Sequence, residues 1–246
     1  MAFYKTSNPT LRQNTFARAG ELGPTMTLNG TVHKTGILLL LAMVSAAWTW
    51  RIVATQGADA AAPWMIGGIF GGFIVSLVAI FAKRSTPVTA PIYAVLEGFA
   101  LGGISSVLDQ QYRNIAIQAV VITFGALLTM LALYATGAIR ATPGFVRFVV
   151  VATGTVCLVY VIDMVLHWFG IGVPFINSAG GLGIGFSIFV VILATLNLVL
   201  DFAMIEQGAQ EGAPKYMEWY GAFAIMVTLV WLYLEVLRLL AKTRQR

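Results

Sequence analysis

The chain alternates long apolar segments with short polar connections. Its apolar segments run continuously, without the strict alternation that a transmembrane barrel requires, and each is close to the roughly 20 residues that cross a bilayer as a helix. The sequence predicts no amphipathic helices that could cover these apolar segments if they formed the core of a soluble protein. The pattern predicts an all-α, polytopic bundle of seven transmembrane helices, antiparallel between neighbours because the connections are short. The windows are about 37–54, 64–82, 90–108, 115–136, 146–169, 182–207 and 218–240.

Composition narrows the class of protein. Hydrophobic residues make up 59% of the chain and charged residues only 10%, which is far from the balance of a soluble domain. The net charge is +5, but the basic residues are scattered over tails and loops, so no nucleic-acid partner is indicated. A single cysteine, Cys157, excludes an intrachain disulfide. Glycines spaced four residues apart predict close helix packing: Gly67 with Gly71, Gly68 with Gly72, and Gly98 with Gly102.

The N-terminal part is polar and basic, and the first apolar window begins at Ile37, too late for the usual signal peptide. We therefore expect a flexible basic tail over residues 1–34 and one transmembrane domain over residues 35–246. Basic residues favour the cytoplasmic side of short loops, which predicts a cytoplasmic N-terminus in a bacterial inner or plasma membrane. With that orientation the cytoplasmic set is Lys5, Arg12, Arg18, Lys34, Lys83, Arg84, Arg140, Arg147 and Lys215, against Arg51 and Arg113 outside.

The C-terminal basic residues conflict with this orientation, because a seven-pass chain would place Arg238, Lys242, Arg244 and Arg246 outside. Either the earlier loops dominate the orientation, or the last helix does not cross completely and the tail returns inside. The sequence leaves the side of the C-terminus open.

Acidic residues inside the apolar windows are the candidates for function. Asp201 and Glu235 each lie within such a window, where a carboxylate costs roughly 2.5–3.5 kcal/mol on insertion scales unless it has a partner or a hydrated cavity. Glu97 is about seven residues into the third window, roughly 10 Å deep. Asp163 and His167 share a helix face at i, i+4 spacing, although a solvated interfacial histidine is the simpler interpretation of His167.

Two stretches resemble the Bax inhibitor family of membrane proteins, particularly a bacterial branch. They are PIYAVLEGFALGGIS and LNLVLDFAMIEQGAQEGAPKYMEWYGAFAIMVTLVWLYLEVLRLL. The resemblance implies a seven-helix bundle wrapped around the last helix that works as a pH-sensitive calcium leak, with two acids as the pH sensor and gate. The matching positions are Asp201 and Glu235, which would also bind calcium. No enzymatic activity, catalytic residue or cofactor is expected.

The spacing of these two acids differs from the family pattern. They are 34 residues apart (235 minus 201), and a hairpin turning near Pro214 would offset them in height by roughly 12 Å. A direct hydrogen bond then requires a kink, a re-entrant last helix or a shifted turn, and Glu97 or Glu218 are alternative partners for Asp201. Two adjacent carboxyls in a low dielectric would share one proton, and calcium, which favours oxygen ligands, could bind between them after ionisation.

Two other functions are compatible with the sequence. The first is a regulator that binds and modulates a membrane-anchored protease through the polar N-terminal tail, as some bacterial relatives do. The second is an intramembrane hydrolase built on Gly185-Phe186-Ser187 and His167, which no nucleophile motif supports. Calcium flux in sealed vesicles separates the leak from the regulator.

Overall fold

The structure, a computed structural model, describes residues 23–170, 176 and 178–245. Over these residues the chain forms seven long α-helices that are apolar enough to cross a membrane, which confirms the predicted all-α architecture. A single 3-10 turn, Lys83–Ser85, precedes the third helix. The helices are α1 (Leu28–Gln56), α2 (Ala58–Phe81), α3 (Thr86–Gln111), α4 (Ile115–Ala135), α5 (Pro143–Trp168), α6 (Gly181–Gln210) and α7 (Met217–Arg244).

The first helix begins at Leu28, nine residues before the apolar window. Thr27 caps it, because its side-chain oxygen accepts a hydrogen bond from the Gly30 amide at 3.0 Å. Residues 28–34, which the sequence assigned to the polar tail, therefore form the first two turns of α1. The predicted tail up to residue 22 lies outside the described residues.

The last helix lies at the centre of the bundle, as the family resemblance implied. Helix α7 packs against α1, α3, α4 and α6, and its apolar side chains meet those of α6 in a buried cluster that includes Leu198, Leu229 and Leu232. Helix α5 lies at the periphery, with side chains such as Val151 and Leu158 more than half exposed. Since lipid covers such apolar surfaces, the molecule is a multi-pass membrane protein.

Helix α7 crosses the whole bundle. At its start, Lys215 lies beside the beginning of α1. At its end, Arg244 donates a hydrogen bond of 2.7 Å to the carbonyl of Arg113, in the turn between α3 and α4. The two ends of α7 are therefore at opposite ends of the bundle, so the alternative of an incomplete crossing was wrong.

Close contact between α1 and α3 depends on glycine. A Cβ atom at Gly98 would lie 1.9 Å from the Ser45 hydroxyl, and one at Gly102 would lie 2.1 Å from the Ala46 carbonyl oxygen. The predicted packing role of this pair is confirmed. Of the pairs on α2, a Cβ atom at Gly68 would also be too close, 2.5 Å from the Leu96 carbonyl oxygen, whereas one at Gly67 would have no neighbouring atom within 4 Å.

Candidate functional site

The two predicted gating acids lie on a hairpin formed by α6 and α7. Helix α6 ends at Gln210 and α7 begins at Met217, so the turn contains Pro214 as the sequence predicted. Gly212 permits the turn with a φ of +68°, and the Ala213 amide donates to the Gly208 carbonyl at 2.9 Å. This turn fixes which residues of the two helices face each other.

Asp201 projects from α6 toward α7, where it is partly buried. The Thr228 hydroxyl of α7 donates a hydrogen bond of 2.6 Å to its Oδ2 atom. Thr228 is itself buried, with 8% of its surface exposed. This single contact links an ionisable group on α6 to the central helix.

Glu235 is almost completely buried, at 2% exposed. The Tyr160 hydroxyl of α5 lies 3.0 Å from both carboxylate oxygens, and Arg238 Nη1 donates to Oε1 at 2.8 Å. The Arg238 guanidinium also stacks over the Tyr160 ring, 4.9 Å from its centroid. Glu235 is thus neutralised by an arginine one turn further along its own helix, and the cluster joins α7 to α5.

The structure does not bring Asp201 and Glu235 together. Thr228, the partner of Asp201, precedes Glu235 by seven residues, or about 10 Å along the helix, close to the height difference expected from a turn at Pro214. In the described part of the chain, Asp201 therefore pairs with a hydroxyl rather than with any of the three proposed acids, Glu235, Glu97 and Glu218. A calcium site shared by Asp201 and Glu235 stays a prediction that requires α6 and α7 to shift. The described residues include no cluster of three or more acidic, histidine or cysteine side chains suited to a metal ion.

Among the described contacts of Asp201, its bonded partner is Thr228 rather than the supporting acids Glu97 of α3 and Asp163 of α5. Glu97 is partly buried one turn after Tyr93 on α3, and a Cβ atom at Gly72 of α2 would lie 2.8 Å from Glu97 Oε1. Asp163 is partly buried on α5, and His167 is exposed near the end of that helix. The exposure of His167 agrees with its interpretation as an interfacial side chain.

Glu218 has its own partners at the start of α7. Its side chain is fully buried, and its carboxylate accepts hydrogen bonds from the Thr27 amide at 2.9 Å and the Thr27 hydroxyl at 2.8 Å. Lys215 lies 2.7 Å away, and Lys34 forms a second ion pair. We call this group, Thr27, Lys34, Lys215 and Glu218, the Glu218 anchor. The sequence analysis missed Thr27, although a threonine before an apolar helix is a helix-start signal.

Lys242, one of the C-terminal basic residues whose side the sequence left open, is buried. Only 5% of it is exposed. Its ammonium donates to the carbonyls of Ile176 and Gly183 at 2.5 and 3.1 Å, and to the Ser187 hydroxyl at 2.8 Å. Three neutral oxygens thus replace water around the charge. The described partner of Ser187 is Lys242 rather than His167.

Comparison with known proteins identifies the family. A family model described as Bax inhibitor 1 like matches residues 8–245. The chain belongs to the Bax inhibitor 1 like family. The match covers all seven helices, which confirms the resemblance seen in the sequence. A search of curated proteins and a search of solved structures found no match to this chain.

Proposed function

We propose that this Bax inhibitor 1 like protein is a calcium leak of the membrane, and that the protonation of Asp201 controls its opening. The observation that carries the proposal is the hydrogen bond between Asp201 and Thr228, because it connects an acid inside the hydrophobic span of α6 to the central helix. Membership in a family associated with calcium leak supports the choice of ion.

The gate follows from the cost of a charge inside the bundle. Protonated Asp201 is neutral and can keep its bond to Thr228 while α6 and α7 remain packed. When the proton is lost at higher pH, a carboxylate remains among apolar neighbours, which costs several kcal/mol unless water or a cation reaches it. Separation of α6 and α7 lets both water and a cation reach Asp201, and calcium favours carboxylate oxygens as ligands. We therefore expect flux to increase as pH rises.

Glu235 acts in this proposal through its own cluster. The Tyr160 hydroxyl of α5 donates to Glu235, and Arg238 of α7 donates to both Tyr160 and Glu235. Glu235→Gln therefore weakens a second contact of the moving helix. Mutational effects at sites about 10 Å apart with no shared partner are usually additive. We expect the effects of Asp201→Asn and Glu235→Gln on flux to add. A double variant no different from either single variant would show that the two acids meet in the conducting state.

Calcium flux through purified protein in liposomes tests the gate. Asp201→Asn keeps the shape and removes the titratable proton, so flux should lose most of its dependence on pH between about 5 and 8. Glu206→Gln is the matched control, because Glu206 lies on the same helix, where it is bonded by Tyr134, and takes no part in the proposed gate. An unchanged pH profile in Asp201→Asn would refute the sensor.

The same measurement separates the leak from the regulatory alternative. A protein that only binds and modulates a membrane-anchored protease should give no calcium flux at any pH. The leak proposal requires flux from the purified chain alone, without a catalytic residue or a bound cofactor.

The distribution of basic residues supports a cytoplasmic N-terminus. Lys34 and Lys83 lie over the rings of Trp219 and Tyr220, at the end of the bundle where α7 begins. Lys215 lies at the same end. We propose that this end faces the cytoplasm, since clustered lysines mark the cytoplasmic side of short loops.

A further inference from the structure

A cavity of about 720 Å³ lies between α1 and α4, with α3 and α7 as its floor. Its walls are largely apolar. Met43 and Ile117, which line it from α1 and α4, are 61% and 64% exposed, so the cavity opens toward the surrounding lipid. Pockets of this volume hold small organic ligands. Neither Asp201 nor Glu235 lines it, so it is separate from the proposed gate.

One polar side chain in the cavity lacks a partner. Thr123 is 4% exposed, and within the described part of the chain its hydroxyl forms no hydrogen bond. A buried hydroxyl without a partner costs free energy, which a ligand oxygen would recover. The oxygen itself is shielded from the cavity, so a ligand bonds it after the Thr123 side chain rotates to another staggered rotamer. The other hydroxyls of the cavity are satisfied, since Ser105 and Tyr233 bond each other at 2.8 Å. Thr123 is therefore the one buried hydroxyl of the described cavity wall that can gain a hydrogen bond from a ligand.

The charge and depth of the cavity limit the ligand. Of the described residues that line it, Asp109 is the only Asp, Glu, Lys, Arg or His, so the lining has no basic side chain to bind a phosphate or carboxylate group. Thr123 lies eight residues into α4, about 12 Å from Ile115 along the helix. An ionised headgroup is strongly disfavoured at such a depth in a membrane.

We propose that this cavity binds a neutral, lipid-soluble molecule that carries one hydrogen-bonding oxygen, and that the oxygen pairs with the Thr123 hydroxyl. The apolar remainder of the molecule fills the space between α1 and α4. The proposal concerns binding and is independent of calcium conduction.

Photolabelling of the full-length protein in liposomes tests it. Three probes share one long alkyl chain with a diazirine in the middle: a primary alcohol, the corresponding alkane and the corresponding fatty acid. Peptide mass spectrometry locates the labelled residues. The alcohol should label the cavity residues of α1 and α4 about fivefold more efficiently than the alkane, as one additional hydrogen bond provides, and the fatty acid should label them least.

Variants identify the site. Thr123→Val keeps the volume and should remove the preference for the alcohol, whereas Thr123→Ser should keep it. Ala47→Phe narrows the cavity and should abolish labelling there, whereas Ala54→Phe, at an exposed position of α1 that does not line the cavity, should not. Equal labelling by alcohol and alkane in the unmodified protein, or strong cavity labelling in Ala47→Phe, would overturn the proposal. The Thr123 pair keeps the test decisive if Ala47→Phe does not fold.

Discussion

Gly30 leaves space for the Glu218 carboxylate, so a single methyl group there should destabilise the protein. A Cβ atom at this position would lie 2.1 Å from Glu218 Oε1, well below the roughly 3.5 Å of a normal carbon contact. In Gly30→Ala the carboxylate must move by more than about 1 Å. That movement disturbs its bonds to the Thr27 amide and hydroxyl and to Lys34 and Lys215.

The expected magnitude follows from these contacts. A hydrogen bond to a charged group is worth about 1.5–3 kcal/mol, and some of the displaced bonds can re-form because the Lys215 side chain is partly exposed. Alanine recovers up to about 1 kcal/mol of helix propensity over glycine. We expect a net loss of about 1–3 kcal/mol.

Thermal unfolding in detergent micelles, followed by circular dichroism, measures the change. The matched control is Gly36→Ala on the same helix, where a Cβ atom would have no neighbour within 4 Å. It should be stabilising by roughly 0.4–1 kcal/mol, since alanine restricts the unfolded chain. The two substitutions should thus shift the melting temperature in opposite directions.

A double-mutant cycle completes the test of the Glu218 anchor. In a Glu218→Ala background the clash is absent, so Gly30→Ala should cost nothing there. If Gly30→Ala is as stable as the unmodified protein, or costs the same with and without Glu218, the carboxylate is not held against Gly30 and the anchor is wrongly described.

Two further predictions concern packing and orientation. Gly102→Ala should be destabilising by about 1–3 kcal/mol in the same melting assay, because its Cβ would lie 2.1 Å from the Ala46 carbonyl oxygen. Gly67→Ala, the control, should be neutral or stabilising. Equal effects of the two substitutions would contradict the packing role of Gly102. The orientation is tested in a Cys157→Ala background with an impermeant thiol reagent applied to intact cells. The reagent should label Arg244→Cys but neither Arg84→Cys nor Arg140→Cys. Strong labelling at positions 84 and 140 would overturn the cytoplasmic N-terminus.

The helical architecture could be predicted from the sequence because it depends on local properties. The length and continuity of each apolar run determine whether a helix can cross a bilayer, and the bounds of α4 and α5 lie within three residues of the predicted windows. The packing role of Gly98 and Gly102 was also predictable, since four-residue spacing places small residues on one helix face. The start of α1 was missed, because the helix continues through the mostly polar residues 28–36 before the apolar window, and Thr27, which caps it, was not used as a helix-start signal.

The candidate site was only partly predictable. Asp201 was recognisable as an acid inside an apolar run, and the offset from Glu235 followed from counting residues to the turn. Its actual partner, Thr228, has no distinctive sequence signal, because which residue of α7 faces Asp201 depends on the rotation and register of two packed helices.

Contacts between distant parts of the chain were decided by the tertiary structure alone. Lys34 and Glu218 are separated by 184 positions, and the acceptors of Lys242 come from the beginning of α6 and from Ile176. The pattern of hydrophobic residues indicates which segments enter the membrane, but it does not determine which helices become neighbours. Burial of Glu218 and solvation of Lys242 by neutral oxygens both arise from that choice of neighbours, because each depends on atoms supplied by a distant part of the chain.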